Sequence, residues 1–147
     1  MPLIGSKRDA AIALAISLNN TPYIWGGNDP LQDEGVDCSG MLRHIFDDLR
    51  MIPPGSDFPS WRFAQMYPEV KVLKEGVLVF WLRGPKIGHV EMVVGKMEGE
   101  WWTIGASGGG RNTDTVEAAK ESDARVKVRP VPPNWVKAVD PFAAEEV

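Results

Sequence analysis

The chain has a single cysteine, and it lies in Asp37-Cys38-Ser39-Gly40. A thiolate attacks carbonyl carbon readily, so the position of Cys38 matters more than its identity. Asp37 comes directly before an apolar-periodic segment, where its carboxylate can cap free backbone N–H groups and place Cys38 in the first turn of a helix. The positive end of a helix favours the anionic thiolate, which is the attacking form. Cysteine is also a small, readily buried hydrophobe, and Cys38 precedes Met41 and Leu42 at helical spacing, so it can lean on a core from the same place.

Acyl transfer through a thiolate needs a base that later returns a proton, the usual role of histidine near neutral pH. Two histidines are available. His44 is on the same helix, and at ~100° per residue it falls ~120° round from Cys38, on the polar side and out of hydrogen-bond reach. It reads as a surface histidine. His89 opens an apolar run, Gly88-His89-Val90-Glu91-Met92-Val93-Val94-Gly95, just after a glycine-containing turn. A histidine at a sheet end facing a helix amino terminus can partner the thiol, although a histidine on a strand is as often only packed or hydrogen-bonded.

These residues need elements to hold them. Ala11, Leu14, Ala15 and Leu18 recur at helical spacing, with Ile12 and Ile16 beside them, and predict a largely buried helix over 9–19 that begins near Ser6 or Asp9. The glycines, Asn-Asp-Pro and acids between Tyr23 and Val36 predict an irregular loop. A second helix runs over 38–50, with Met41, Leu42, Ile45, Phe46 and Leu49 on one stripe and Arg43, His44, Asp47, Asp48 and Arg50 on the other side. A short third helix starts near Ser60 and stops before Pro68. The period then changes to two. Val77–Trp81, Val90–Val94, Trp101–Ile104 and Val126–Arg129 read as strands, the last at an edge because Pro130 follows. Helices first and strands second predict an α+β domain, with helices on one side of a mainly antiparallel sheet of about four to six strands. The proline-rich tail from Pro130 onward is expected to lie over the surface.

Composition narrows the class. A length of 147 residues suits one domain spanning 1–147, and 44% hydrophobic with 24% charged residues is the balance of a globular protein. Sixteen basic against twenty acidic residues, with no basic cluster, disfavour nucleic-acid binding. One cysteine excludes an intramolecular disulfide, and one cysteine with two histidines argues against structural zinc. No apolar run approaches the ~20 residues that span a bilayer, so no membrane insertion is expected. Met1-Pro2-Leu3-Ile4-Gly5-Ser6-Lys7-Arg8-Asp9 offers no apolar leader. The expectation is synthesis in the cytoplasm without a signal peptide, followed by phage-type or other non-classical delivery.

Five blocks taken together, Tyr23-Ile24-Trp25-Gly26-Gly27, Asp37-Cys38-Ser39-Gly40-Met41, Glu75-Gly76-Val77-Leu78-Val79-Phe80-Trp81, Gly88-His89-Val90 with Val93-Val94-Gly95, and Ile104-Gly105-Ala106-Ser107, resemble the NlpC/P60 family of cell-wall cysteine peptidases. The resemblance runs from about Tyr23 to Gly108 and implies a papain-like core. It also implies Cys38 as nucleophile and His89 as general base and acid. Tyr23 resembles the family tyrosine that helps define the site, and Ser39 the serine beside the nucleophile. Trp25 fits either packing or the cleft wall. The backbone N–H of Cys38, with Tyr23, would stabilise the oxyanion, and such donors are worth roughly 2.7–4 kcal/mol each in other enzymes.

The chain departs from that pattern in two places. The family usually supplies a polar residue, often histidine, on the next strand to orient the imidazole, and here that position falls on Gly105. Glu91, two residues after His89 on the same strand face, is the substitute expected here, with Thr103 and Ser107 as other candidates. Glu91 could equally contact substrate or solvent. Val77 stands where the family commonly has aspartate, a change expected to alter only a turn contact. The acids Asp29, Asp33 and Glu34 could face a substrate amine, or simply form a solvated loop.

The implied function is peptidoglycan hydrolysis by a cysteine endopeptidase, with a monomer favoured over an oligomer and with no metal or organic cofactor, through a thioester, at the bond between γ-linked D-Glu and a diamino acid of the stem peptide. The alternatives are an amidase or acyltransferase on the same thiol scaffold, and a non-catalytic binding or structural module such as a phage tail component.

Overall fold

The computed structural model describes residues 6–146, so Met1–Gly5, part of the stretch read for a leader, lie outside the described residues. Three helices precede the sheet: α1 (Lys7–Ser17), α2 (Cys38–Asp48) and α3 (Ser60–Met66). Strands β1 (Leu78–Arg83), β2 (Lys86–Met97) and β3 (Glu100–Ser107) form an antiparallel meander. Between β2 and β3, Glu98 and Gly99 both have positive φ, as a tight two-residue hairpin requires. After α4 (Val116–Glu121), β4 (Arg125–Pro130) pairs with β3 and β5 (Lys137–Val139) pairs with β1, giving a five-stranded antiparallel sheet in the order β4-β3-β2-β1-β5. The α+β architecture is therefore as expected, with β4 at an edge.

The strand period of two sorts the sheet residues into two cores. Leu78, Phe80, Val90, Met92, Ile104, Ala106 and Val126 face the helices and pack with Ala11, Ala15, Leu42, Ile45 and Phe46. Val77, Val79, Val93 and Ala138 face the other way and are covered by Val70, Leu73, Trp81, Trp101 and Trp135. Full burial of one large apolar side chain contributes roughly 1.5–3 kcal/mol. Val77 thus fills a core position at the entry to β1, and its carbonyl accepts from Val93 N at 2.8 Å.

Several boundaries and burials differ from expectation. α1 is capped at Ser6, the first of the two expected starts, with Ser6 Oγ accepting from Asp9 N, but it ends at Ser17 and is not largely buried: Ala11 and Ala15 face the core while Ile16 is exposed. Arg8, a charged residue, is buried on this helix. α2 stops at Asp48 because Arg50 adopts positive φ, and Arg43 is buried rather than solvated. The tail does not lie over the surface: β5 closes the sheet, and Ala138, Val139 and Phe142 are fully buried. α4, capped by Thr115, has too few apolar residues for its periodicity to be read from the sequence.

Candidate active site

Asp37 fastens two segments at the start of α2. Its Oδ1 accepts from Gly40 N at 2.7 Å, which caps the helix, and its Oδ2 accepts from Gly26 N at 2.9 Å, which binds the preceding loop. Asp37 N in turn donates to Gly27 O at 3.1 Å. The loop can approach so closely because Gly40 has no side chain; a Cβ there would overlap the Gly27 carbonyl. Cys38 is thereby fixed as the first residue of α2, buried, with Sγ 3.8 Å from the carbonyl oxygen of Gly88. Gly88 immediately precedes His89 on β2.

The His89 imidazole lies beside the Trp81 ring, with centroids 5.5 Å apart. Its Nε2 is 2.7 Å from Glu91 Oε2, while Nδ1 is buried and makes no full hydrogen bond of its own. Nδ1 is therefore the ring atom left to exchange a proton with Cys38. Burial pushes the His89 pKa down, but the closeness of Cys38 and the hydrogen bond and charge of Glu91 outweigh it and raise the pKa to about 9. Burial likewise pushes Glu91 up, and the hydrogen bonds and charges of His89 and Arg129 overcome this and hold it near 2. At neutral pH the pair is ionic.

Glu91 is 1% exposed and fully engaged. Thr103 Oγ1 donates to Oε1 at 2.8 Å, Arg129 Nε donates to Oε1 at 3.3 Å, and Arg129 Nη2 contacts Oε2. Of the three candidates for orienting the imidazole, the structure sets Glu91 against it. Thr103 touches Glu91 and not His89, and Ser107 Oγ, although buried, makes no hydrogen bond. Arg129 was absent from the expected site. Its only trace in the sequence is its place in an alternating strand, and alternation does not reveal which strand β4 pairs with or in what register.

Tyr23 is fully buried, and its phenol is raised above its usual range, first by burial and then by the Cys38 charge, with an Arg83 hydrogen bond opposing. Trp25 is 44% exposed rather than packed in the core and, with Gly26, Asp37, Ser39, Arg43 and Asp57, lines a cavity of about 300 Å³ whose lining does not include Cys38 or His89. Ser39 Oγ lies 3.4 Å from Asp37 Oδ1 at that cavity. His44 is outside the site, half-buried, with Nε2 3.8 Å from Asp48. The acidic loop folds on itself: Asp29 Oδ1 accepts from Leu31 N and Gln32 N, and Asp33 Oδ2 accepts from Asn28 N and Asp29 N. Among the described residues, no three or more His, Cys, Asp or Glu side chains converge as a metal site would require.

Helices packed on one face of a five-stranded antiparallel sheet, with Cys38 opening α2 and His89 on β2, form the papain-like α+β fold. The chain belongs to the NlpC/P60 family, whose model matches residues 20–130. Protein P54 of Enterococcus faecium is 35% identical over 96 residues, which is 62% of this chain and only 17% of that protein's length. The NlpC/p60 domain of the peptidoglycan hydrolase SagA superposes with a TM-score of 0.65 at 26% identity, covering 90% of this chain and 97% of that one. RipD of Mycobacterium tuberculosis, described as a non-catalytic NlpC/p60 protein adapted to peptidoglycan binding, shares the fold with a TM-score of 0.67 at 17% identity, covering 92% and 98%.

Proposed function

We propose that this domain is a cysteine endopeptidase of peptidoglycan, cleaving the stem-peptide amide between γ-linked D-Glu and the following diamino acid. The observation that carries the reading is Cys38 at the amino terminus of α2 beside His89, whose far nitrogen is held 2.7 Å from a buried carboxylate. Membership of the NlpC/P60 family and the likeness to the SagA domain support a cell-wall substrate.

At rest the thiol proton sits on His89 Nδ1, and Cys38 Sγ, as the thiolate of that ion pair, adds to the amide carbonyl carbon. The backbone N–H of Cys38 and the Tyr23 hydroxyl stabilise the tetrahedral oxyanion. The C–N bond then breaks as the leaving amine takes the proton from Nδ1. Water, deprotonated by Nδ1, attacks the thioester, which releases the acid and restores the thiol. Throughout, Glu91 holds Nε2 in its protonated form.

Purified peptidoglycan incubated with wild type should release peptide fragments identifiable by mass, and Cys38→Ala should release none. Identical fragments from both would end the peptidase reading. Retention on peptidoglycan without release would instead favour a binding module.

A further inference from the structure

We propose that Arg129, on edge strand β4, is a positioning residue of the catalytic centre, clamping both oxygens of Glu91 so that the carboxylate stays an acceptor for His89 Nε2 in the space that Gly105 leaves open. The kinetic consequence rests on the peptidase reading; the positioning itself does not.

A fully buried carboxylate needs a cation or it takes up a proton. His89 supplies that cation only while it is protonated. In any step where the imidazole gives up its proton, Arg129 is the positive charge that remains on Glu91, with Nε on Oε1 and Nη2 on Oε2. Nε2 therefore keeps its proton, and exchange is confined to Nδ1.

The sheet register makes room for this arrangement. Met92 pairs with Ile104, which sets Glu91 opposite Gly105, and Thr103 pairs with both Val93 and Arg129. A Cβ at position 105 would stand 2.6 Å from Glu91 Cγ and 3.2 Å from its Cβ and Cδ. A side chain on β3 there and the present placement of Glu91 exclude each other, so the orienting group has a site on β2 because β3 vacates it. Lys127, which pairs with Gly105, is otherwise engaged and turns its Nζ to Asp123.

The test follows the side-chain nitrogen signals of His89 against pH, alongside the rate of Cys38 alkylation by iodoacetamide, in wild type, Arg129→Gln, Arg129→Lys and Gly105→Ala. Removing a cation from beside a shared proton tightens its hold, so Arg129→Gln should move the His89 titration up by roughly half a unit or more. Arg129→Lys should return it toward wild type, and Gly105→Ala, by displacing Glu91, should move it down. On a peptidoglycan fragment, Arg129→Gln should lower kcat about tenfold or more with little change in KM. An unchanged or lowered titration in a folded Arg129→Gln overturns the proposal. Should that variant fail to fold, Arg129→Met, which keeps the apolar stem and removes the charge, takes its place: a raised titration is expected, and a wild-type or lowered one overturns the proposal. The titration needs no substrate, so it stands apart from any failure of wild type to release fragments.

Discussion

The carbonyl oxygen of Gly27 occupies the space where a Cβ on Gly40 would stand, so the loop before α2 and the first turn of α2 meet backbone to backbone. This contact, tied by Asp37 on both sides, sets where Cys38 emerges from the helix start.

Gly40→Ala should therefore destabilise the fold by about 1–3 kcal/mol or more, because the opposing atom is backbone and cannot rotate away. Urea unfolding monitors the loss, and reactivity of Cys38 should change even in the fraction that remains folded. A variant with wild-type stability and alkylation rate would contradict the contact.

Glu91→Gln keeps the shape of the carboxylate and removes its charge. If Glu91 orients His89, kcat should fall by roughly 10²–10⁴ with KM little changed, by analogy with loss of the orienting aspartate in serine-protease triads. Thr103→Val should cost less, since Thr103 reaches only Glu91, and Ser107→Ala, whose hydroxyl makes no hydrogen bond, should cost least. Steady-state kinetics on a stem-peptide fragment rank the three.

The ion pair also makes stability depend on pH. His89 is raised from 6.5 to about 9, so its share is fully present below pH 6.5 and is lost as pH rises through 9. Glu91 is lowered from 4.5 to about 2, so its share is present above pH 4.5 and is lost as pH falls toward 2. Both shifts include one shared His89–Glu91 interaction, which counts once. The gap in Tm between wild type and Glu91→Gln should accordingly be widest between pH 4.5 and 6.5 and shrink on either side. A gap that grows toward pH 9 would contradict the pairing.

Arg8 and Asp140 form a buried ion pair at 3.0 Å between α1 and the segment after β5. Arg8 also donates to the Glu75 carbonyl at 2.7 Å, and Asp140 Oδ1 accepts from Phe142 N at 3.0 Å. Asp140→Ala takes the facing carboxylate away from a buried guanidinium and should cost up to about 3–5 kcal/mol, read as a lower urea midpoint. Replacing both residues with apolar ones of similar volume should cost less.

Much of this layout was legible in the sequence because it depends on local pattern. The Asp37 cap, the Met41, Leu42, Ile45, Phe46 stripe and the alternating runs each carry their own period. The family was legible through its blocks, the same resemblance marked Gly105 as a position without its usual side chain, and strand alternation put Glu91 on the His89 face, where the two are 2.7 Å apart. What escaped were features set by tertiary partners. Arg129 meets Glu91 only through the β3–β4 register, and Arg43 and Arg8 are buried by groups distant in the chain or in another element. β5 has three residues, too few to show a period, and the prolines around it suggested a surface tail until pairing with β1 buried it.

The two outer strands have a consequence of their own. Unpaired strand edges are templates on which other chains can assemble, and proteins blunt them by keeping them short, charged or closed by proline. β4 runs six residues, carries Arg125, Lys127 and Arg129, and ends in Pro130; β5 runs three and is followed by Asp140 and Pro141. Neither flank offers a long flat ladder, so the domain is guarded against edge-to-edge aggregation, and one of the guarding charges, Arg129, is the same group that steadies Glu91.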